Sequence, residues 1–150
     1  MSAVTTRLLL FSKQFERFYE RQFSPLLRRW DLTMREVHVL LFLANNPGYD
    51  TARDVAEYRG LAKSQVSQAV DLLAAQGLLC RTPDSGDRRV VHLAITEAGA
   101  PLTLEAQAIQ AACCRRLLAN FSPEDERHFR RLLETVLDNG AHLIEEDIQP

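Results

Sequence analysis

Apolar residues recur at threes and fours over the first thirty positions: Leu8, Phe11, Phe15, Phe18, Tyr19, Phe23, Leu26 and Leu27. Arg7, Lys13, Arg17, Arg21 and Arg28 fall mostly between them. This period predicts one long amphipathic helix over 1–30. A second helix is expected at Thr33, where Thr33-Met34-Arg35-Glu36 offers a hydroxyl to an orphan amide and a carboxylate reaching back. It should stop before Pro47-Gly48. Thr51-Ala52-Arg53-Asp54 repeats the pattern and opens a short helix ending near Arg59-Gly60. The next helix should cover Lys63 to Gln76, burying Val66, Ala69, Val70, Leu72 and Leu73, with Gly77 at its stop.

The period then changes from helical to short β-rich runs. Leu78-Leu79-Cys80-Arg81-Thr82 and Arg89 to Ile95 flank the turn cluster Pro83-Asp84-Ser85-Gly86-Asp87, which predicts a hairpin. Thr96 is placed to cap a helix reaching Asn120, with Leu104, Ala108, Ala111, Ala112 and Leu117 among its apolar positions. Ser122-Pro123-Glu124-Asp125 supplies a cap, a proline at the first helical position and acids in the first turn. The helix it opens carries Phe129, Leu132, Leu133, Val136, Leu137, Gly140, Leu143 and Ile144 on one stripe. The expected fold is mainly α with a small β-hairpin wing, in the order α-α-α-α-β-β-α-α.

Two short helices joined through Gly60 and followed by a hairpin outline a winged helix-turn-helix over 31–95. Ala56 would sit where the two helices cross and must be small. Gly60 would take a left-handed turn without a Cβ clash, and Val66 would plug the crossing. In such a unit the second helix presents its N-terminal part to the DNA major groove. Here that part exposes Lys63, Ser64, Gln65, Ser67 and Gln68, with no acid between Arg59 and Val70 to repel phosphate. Glutamine can contact adenine in two places. At the hairpin tip, Arg88 and Arg89 could enter the minor groove, where negative potential is focused, while Asp87 pairs with a neighbouring arginine and fixes the tip. The bland alternatives are a solvated helix face and a surface turn with a weak ion pair.

Charge leaves this reading open. The 150-residue chain has 18 basic and 20 acidic side chains, a net charge of −2 that alone would not suggest nucleic acid. The distribution is uneven: residues 1–30 carry +4, 31–52 carry −2, 53–95 carry +1 and 96–150 carry −5. The acidic surplus therefore sits mainly outside the winged unit. An apolar content of 46% and a charged content of 25% are ordinary for globular proteins. The longest apolar run, Val39 to Ala44, is too short to span a membrane, and the charged N-terminus does not read as a signal peptide. No membrane partner is expected, and the expected location is cytoplasmic.

The stretch LAKSQVSQAVDLLAAQGLLCRTPDSGDRRVVHLAITEAG resembles the core signature of the MarR family of bacterial transcriptional regulators. Its marks are the recognition helix, the Asp-x-Arg wing and the closing Ile95-Thr96-Glu97-Ala98-Gly99. The resemblance implies a homodimer on a pseudo-palindromic operator of double-stranded DNA, acting as a repressor, with release by a small ligand, often phenolic, or by thiol oxidation. It assigns Arg89 to the minor groove and Ser64, Gln65, Ser67 and Gln68 to the groove-facing helix. Two departures stand out. Ala62 replaces the usual Ser or Thr cap, a loss of about 1 kcal/mol unless another group substitutes. Gln68 stands where many members have Arg.

Helices of about 25 residues are roughly 38 Å long, against a radius of gyration of about 15 Å for a compact chain of this size. The helices at 1–30 and 96–150 should therefore need a partner for their apolar stripes, which a second copy supplies. Trp30, Met34 and His38 could line a pocket for a small aromatic or other effector, although ordinary packing explains them equally well.

Other chemistry has little support. Cys113-Cys114 beside Arg115-Arg116 could form a redox switch, but adjacent helical positions point about 100° apart. Residues 1–79 contain no cysteine, which speaks against peroxide sensing by an N-terminal thiol. His38, His92, His128 and His142 show no metal-ligand spacing. No phosphate loop or nucleophile elbow appears, so neither an enzyme nor a cofactor is expected. The competing class is a winged-helix module that binds protein, which the acidic C-terminal third favours slightly; the Asp-Arg-Arg wing and the acid-free recognition segment oppose it.

Overall fold

The computed structural model describes the backbone of residues 3–148 and the side chains of 7, 8 and 10–143. The Ile144 side chain of the expected last stripe therefore lies outside the described residues. The elements are α1 (Ala3–Gln22), α2 (Ser24–Trp30), α3 (Met34–Asn45), α4 (Ala52–Arg59), α5 (Lys63–Ala75), β1 (Leu79–Pro83), β2 (Val91–Ile95), α6 (Ala100–Leu117) and α7 (Pro123–Ile148). They fall into two compact units, residues 1–112 and 113–150.

In the first unit the expected single N-terminal helix is two. Pro25 stands in the first turn of α2 and lacks an N–H to continue the helical ladder, so the chain breaks at Phe23. Phe23 is fully buried, and its ring lies 4.9 Å from that of Tyr19. α2 ends at Asp31, whose left-handed conformation returns its N–H to the Leu27 carbonyl.

Both expected capping boxes form. The Thr33 N–H donates to Glu36 Oε2 at 2.7 Å, and the Thr51 N–H donates to Asp54 Oδ2 at 2.9 Å. The core is built on α3, whose Val37, Val39 and Leu40 are fully buried, with Val55 of α4 and Val66 and Leu73 of α5. Leu72 is 38% exposed, contrary to expectation, because it lies about 100° around the helix from Leu73. α6 also turns a different face inward. Leu102 and Ala106 are buried, whereas Leu104 is exposed.

β1 and β2 pair antiparallel from Leu79↔Ile95 to Pro83↔Val91. A short third pairing joins them: Thr51 bridges to His92, and the Leu93 N–H donates to the Asp50 carbonyl at 2.7 Å. The hairpin is thereby tied to the start of α4. Its other end is tied by Thr96, whose hydroxyl donates to the Gly77 carbonyl at 2.6 Å. Gly99 makes this turn possible, since a Cβ there would lie 2.2 Å from the Leu78 carbonyl oxygen.

In the second unit, Ser122 and Asp125 exchange hydrogen bonds at the start of α7, and Phe121 packs edge-on to Phe129 at 5.6 Å. Leu132, Leu133, Val136, Leu137 and Leu143 along α7 are all exposed.

Candidate nucleic-acid interface

The crossing of α4 and α5 is closed by small residues and one plug. Ala56 is buried, Gly60 adopts φ 60°, and Val66 is fully buried. With Val66, Ala69, Val70 and Leu73 turned inward, the opposite side of α5 faces solvent. Lys63, Ser64, Gln65, Ser67 and Gln68 are all exposed on it. The missing side chain at Ala62 is answered in part by Gln65, whose Oε1 accepts the Ala62 N–H at 3.2 Å. Alanine has no acceptor to return, so only this half of a capping box exists. Gln68 is engaged as well: its Oε1 accepts from the Arg35 guanidinium of α3 at 3.4 Å. Farther along α5, Asp71 is paired with Arg81 of β1.

The wing tip is ordered by carboxylates. Asp84 Oδ2 accepts the N–H groups of Gly86 and Asp87 at 2.7 and 2.8 Å. Asp87 Oδ1 accepts the Arg89 N–H at 2.9 Å. Asp87 thus fixes the tip through the backbone of Arg89 rather than through a guanidinium, the partner expected from sequence. A carboxylate two residues before an amide closes this local ring more readily than it reaches a flexible arginine head. Among the described residues, the Arg88 and Arg89 guanidinium groups have no ion-pair partner, and both side chains are exposed.

Behind the tip, His92 bridges two acids. Its Nδ1 lies 2.8 Å from Asp50 Oδ1 and its Nε2 lies 3.1 Å from Asp84 Oδ1. These two carboxylates, Asp50 foremost, raise the imidazole pKa above 6.5. The Asp87 amide, then His92 and the Gly86 amide, hold Asp84 down at about 2. The clamp was invisible to sequence reasoning because Asp50 and His92 are 42 positions apart. Arg35 was missed for the same reason; only its place in the first turn of a helix that packs against α5 could have signalled it.

A cleft of about 680 Å³ opens beside α1, α2 and α3, lined by Gln14, Arg17, Glu20, Arg21, Ser24, Leu27 and Met34. Of the three residues expected around a pocket, only Met34 lines it. Trp30 packs instead against the hydrophobic core. His38 is half-buried, and burial, with Arg59 next in effect, lowers its pKa to about 4. Cys113 is buried, and that burial raises its thiol pKa, which disfavours the reactive thiolate. Cys114 and Cys80 are exposed free thiols. No helix among the described residues is long and apolar enough to cross a membrane.

This architecture places the chain in the winged helix-turn-helix class. Residues 30–90 match the model of the MarR family. It is similar to the homoprotocatechuate degradative operon repressor of Escherichia coli, 25% identical over 118 residues covering 79% of each chain. It also resembles CouR from Rhodococcus jostii RHA1, solved with p-coumaroyl-CoA bound. That likeness has 26% identity and a TM-score of 0.70, over 91% of this chain and 95% of that one. A MarR transcriptional regulator from Methanosarcina mazei Go1 shares the fold, with 20% identity and a TM-score of 0.74, over 87% of this chain and 94% of that one.

Proposed function

We propose that the protein is a repressor that binds a pseudo-palindromic operator as a homodimer and leaves it when a small ligand binds. The observation that carries this reading is the exposed N-terminal part of α5, without an acid from Lys63 to Val70, beside a wing tip whose two guanidinium groups have no ion pair among the described residues. α5 enters the major groove with Lys63, Ser64, Gln65, Ser67 and Gln68, and Arg88 and Arg89 reach the flanking minor groove. Residues 31–95 act as the DNA-binding unit, and the helices of 1–30 and 96–150 carry the dimer. Exposed apolar side chains support the dimer: Leu8 and Phe11 on α1, and Leu132, Val136 and Leu137 on α7.

The cleft beside α1 to α3 is the favoured effector site, with Met34 and Leu27 as its apolar wall. A small aromatic effector is supported by CouR, whose structure holds p-coumaroyl-CoA. Ligand binding changes the separation of the two α5 helices, so both no longer fit grooves one turn apart. The location is cytoplasmic, where the operator is. The wing tests this docking. Arg89→Ala lowers affinity for all duplexes and reduces the slope of log affinity against log salt by about 1. Unchanged affinity and slope would contradict the assigned surface.

A further inference from the structure

Gln68, on the exposed face of α5, has a neighbour from outside the α4–α5 pair. Arg35 of α3 donates from Nη1 to Gln68 Oε1 at 3.4 Å, in a solvent-exposed bond. α3 and α5 share the hydrophobic core through Val37, Val66 and Leu73. Arg35 therefore comes to Gln68 from the flank of α5 and brings a positive charge level with its outward side chains.

Charge separates this arginine from the other one beside α5. Arg81 of β1 is paired with Asp71, so its charge is neutralised locally. Among the described residues no carboxylate pairs with Arg35. The acid next to it in sequence, Glu36, is buried and accepts the Thr33 N–H at the start of α3. What Arg35 meets instead is a neutral amide oxygen, at the long end of hydrogen bonding. An anionic oxygen attracts a guanidinium more strongly than a neutral amide does, and a phosphate can take it by two bonds at once. Gln68 thus holds Arg35 in place without satisfying its charge. A helix seated in the major groove, about 12 Å wide, has a phosphate chain along each wall. A guanidinium at the flank of that helix meets the wall before the base edges.

We propose that Arg35 is a further DNA contact, which clamps a phosphate on the wall of the groove that α5 enters, so that α3 joins α5 and the wing in gripping the operator backbone. The assignment rests on α5 entering DNA, as proposed above, and adds a phosphate-binding residue from outside the α4–α5 pair. Such a contact fixes the register of the protein on the duplex and reads no sequence itself.

The experiment is anisotropy titration of the full-length protein on a duplex selected from random DNA and on an unrelated duplex, over a range of salt concentrations. Arg35→Met keeps the apolar stem and removes the charge. It should weaken binding to both duplexes by a similar factor and reduce the slope of log affinity against log salt by about 1 for each half-site. Arg35→Lys keeps the charge and should keep the slope. Gln68→Ala removes the resting partner of Arg35 and should leave the slope as in the wild type. The slope counts the ions released by neutralised phosphates, so a merely structural loss of affinity would not move it.

An unchanged slope in Arg35→Met would overturn the proposal, whether or not affinity falls. A slope lowered as far by Arg35→Lys as by Arg35→Met would overturn it too, because charge would then not be what counts. If the wild-type protein bound neither duplex even at low salt, the DNA-binding reading itself would fall, and this assignment with it. Salt-dependent wild-type binding whose slope Arg35→Met leaves untouched removes the assignment alone.

Discussion

Single residues set the wing and the turn behind it. His92 stands between Asp50 and Asp84, and its protonated ring donates to both, whereas a neutral ring donates to one. Its pKa is raised on folding, so its contribution to stability is full below the unfolded value near 6.5 and is lost as pH rises through the folded value. Asp84 works in the opposite sense. Its contribution is present above its unfolded value near 4 and is lost as pH falls towards about 2. The wing is therefore held best from about pH 4 to the folded pKa of His92. His38, with its pKa lowered to about 4 by burial, is neutral in the folded protein only well above that pH, and it opposes folding as the unfolded ring protonates below 6.5. A proton-NMR titration should find His92 titrating above 6.5 and His38 well below it. Asp50→Asn should bring His92 down. Coincident titration of the two rings near 6.5 would contradict both environments.

Gly99 lies hard against the backbone of Leu78. Gly99→Ala places a methyl 2.2 Å from the Leu78 carbonyl oxygen, a backbone atom that cannot rotate away. The expected loss is about 1–3 kcal/mol, read as a lower denaturant midpoint. An unchanged midpoint would show that the turn can open freely.

At the scale of elements, what could be read in the sequence was what local chemistry decides. The boxes at Thr33 and Thr51 involve residues three apart, so their residue types alone announce helix starts, and both form. The hairpin was equally plain, because apolar runs flank a turn cluster. The N-terminal break was missed because the apolar period continues through Pro25, and periodicity carries no record of a missing N–H. On α6 the burial of Leu102 and Ala106 rather than Leu104 depends on which face neighbouring chain covers, which a weakly patterned helix does not declare. The Asp50–His92–Asp84 clamp and the Arg35–Gln68 contact join distant positions, so residue types alone could not reveal them.

The start of α4 matters twice, as a helix cap and as the strip that pairs with β2. Thr51→Ala should cost about 1 kcal/mol as a lost cap. It should also speed hydrogen exchange at the Leu93 amide, which donates to Asp50. Loss of stability without faster exchange at Leu93 would separate the cap from the wing.

For the whole molecule, the exposed apolar residues of α1 and α7 are the surfaces proposed to meet a second copy. Light scattering at micromolar concentration should give the mass of a dimer. Val136→Glu with Leu137→Glu should shift that mass to the monomer, since both side chains are about 60% exposed in the single chain. A wild-type monomer would contradict the dimer, and with it the need for a two-fold operator.

Operator binding by this fold, as proposed, has a direct test. Fluorescence-anisotropy titration against the protein's own upstream intergenic DNA, at several salt concentrations and with unrelated duplex as competitor, tests it most directly. Nanomolar binding is expected, falling steeply with salt and exceeding the competitor at least tenfold. Binding no tighter than to random DNA at low salt, repeated with duplexes selected from random sequence, would contradict it and favour a protein partner for the wing and α5.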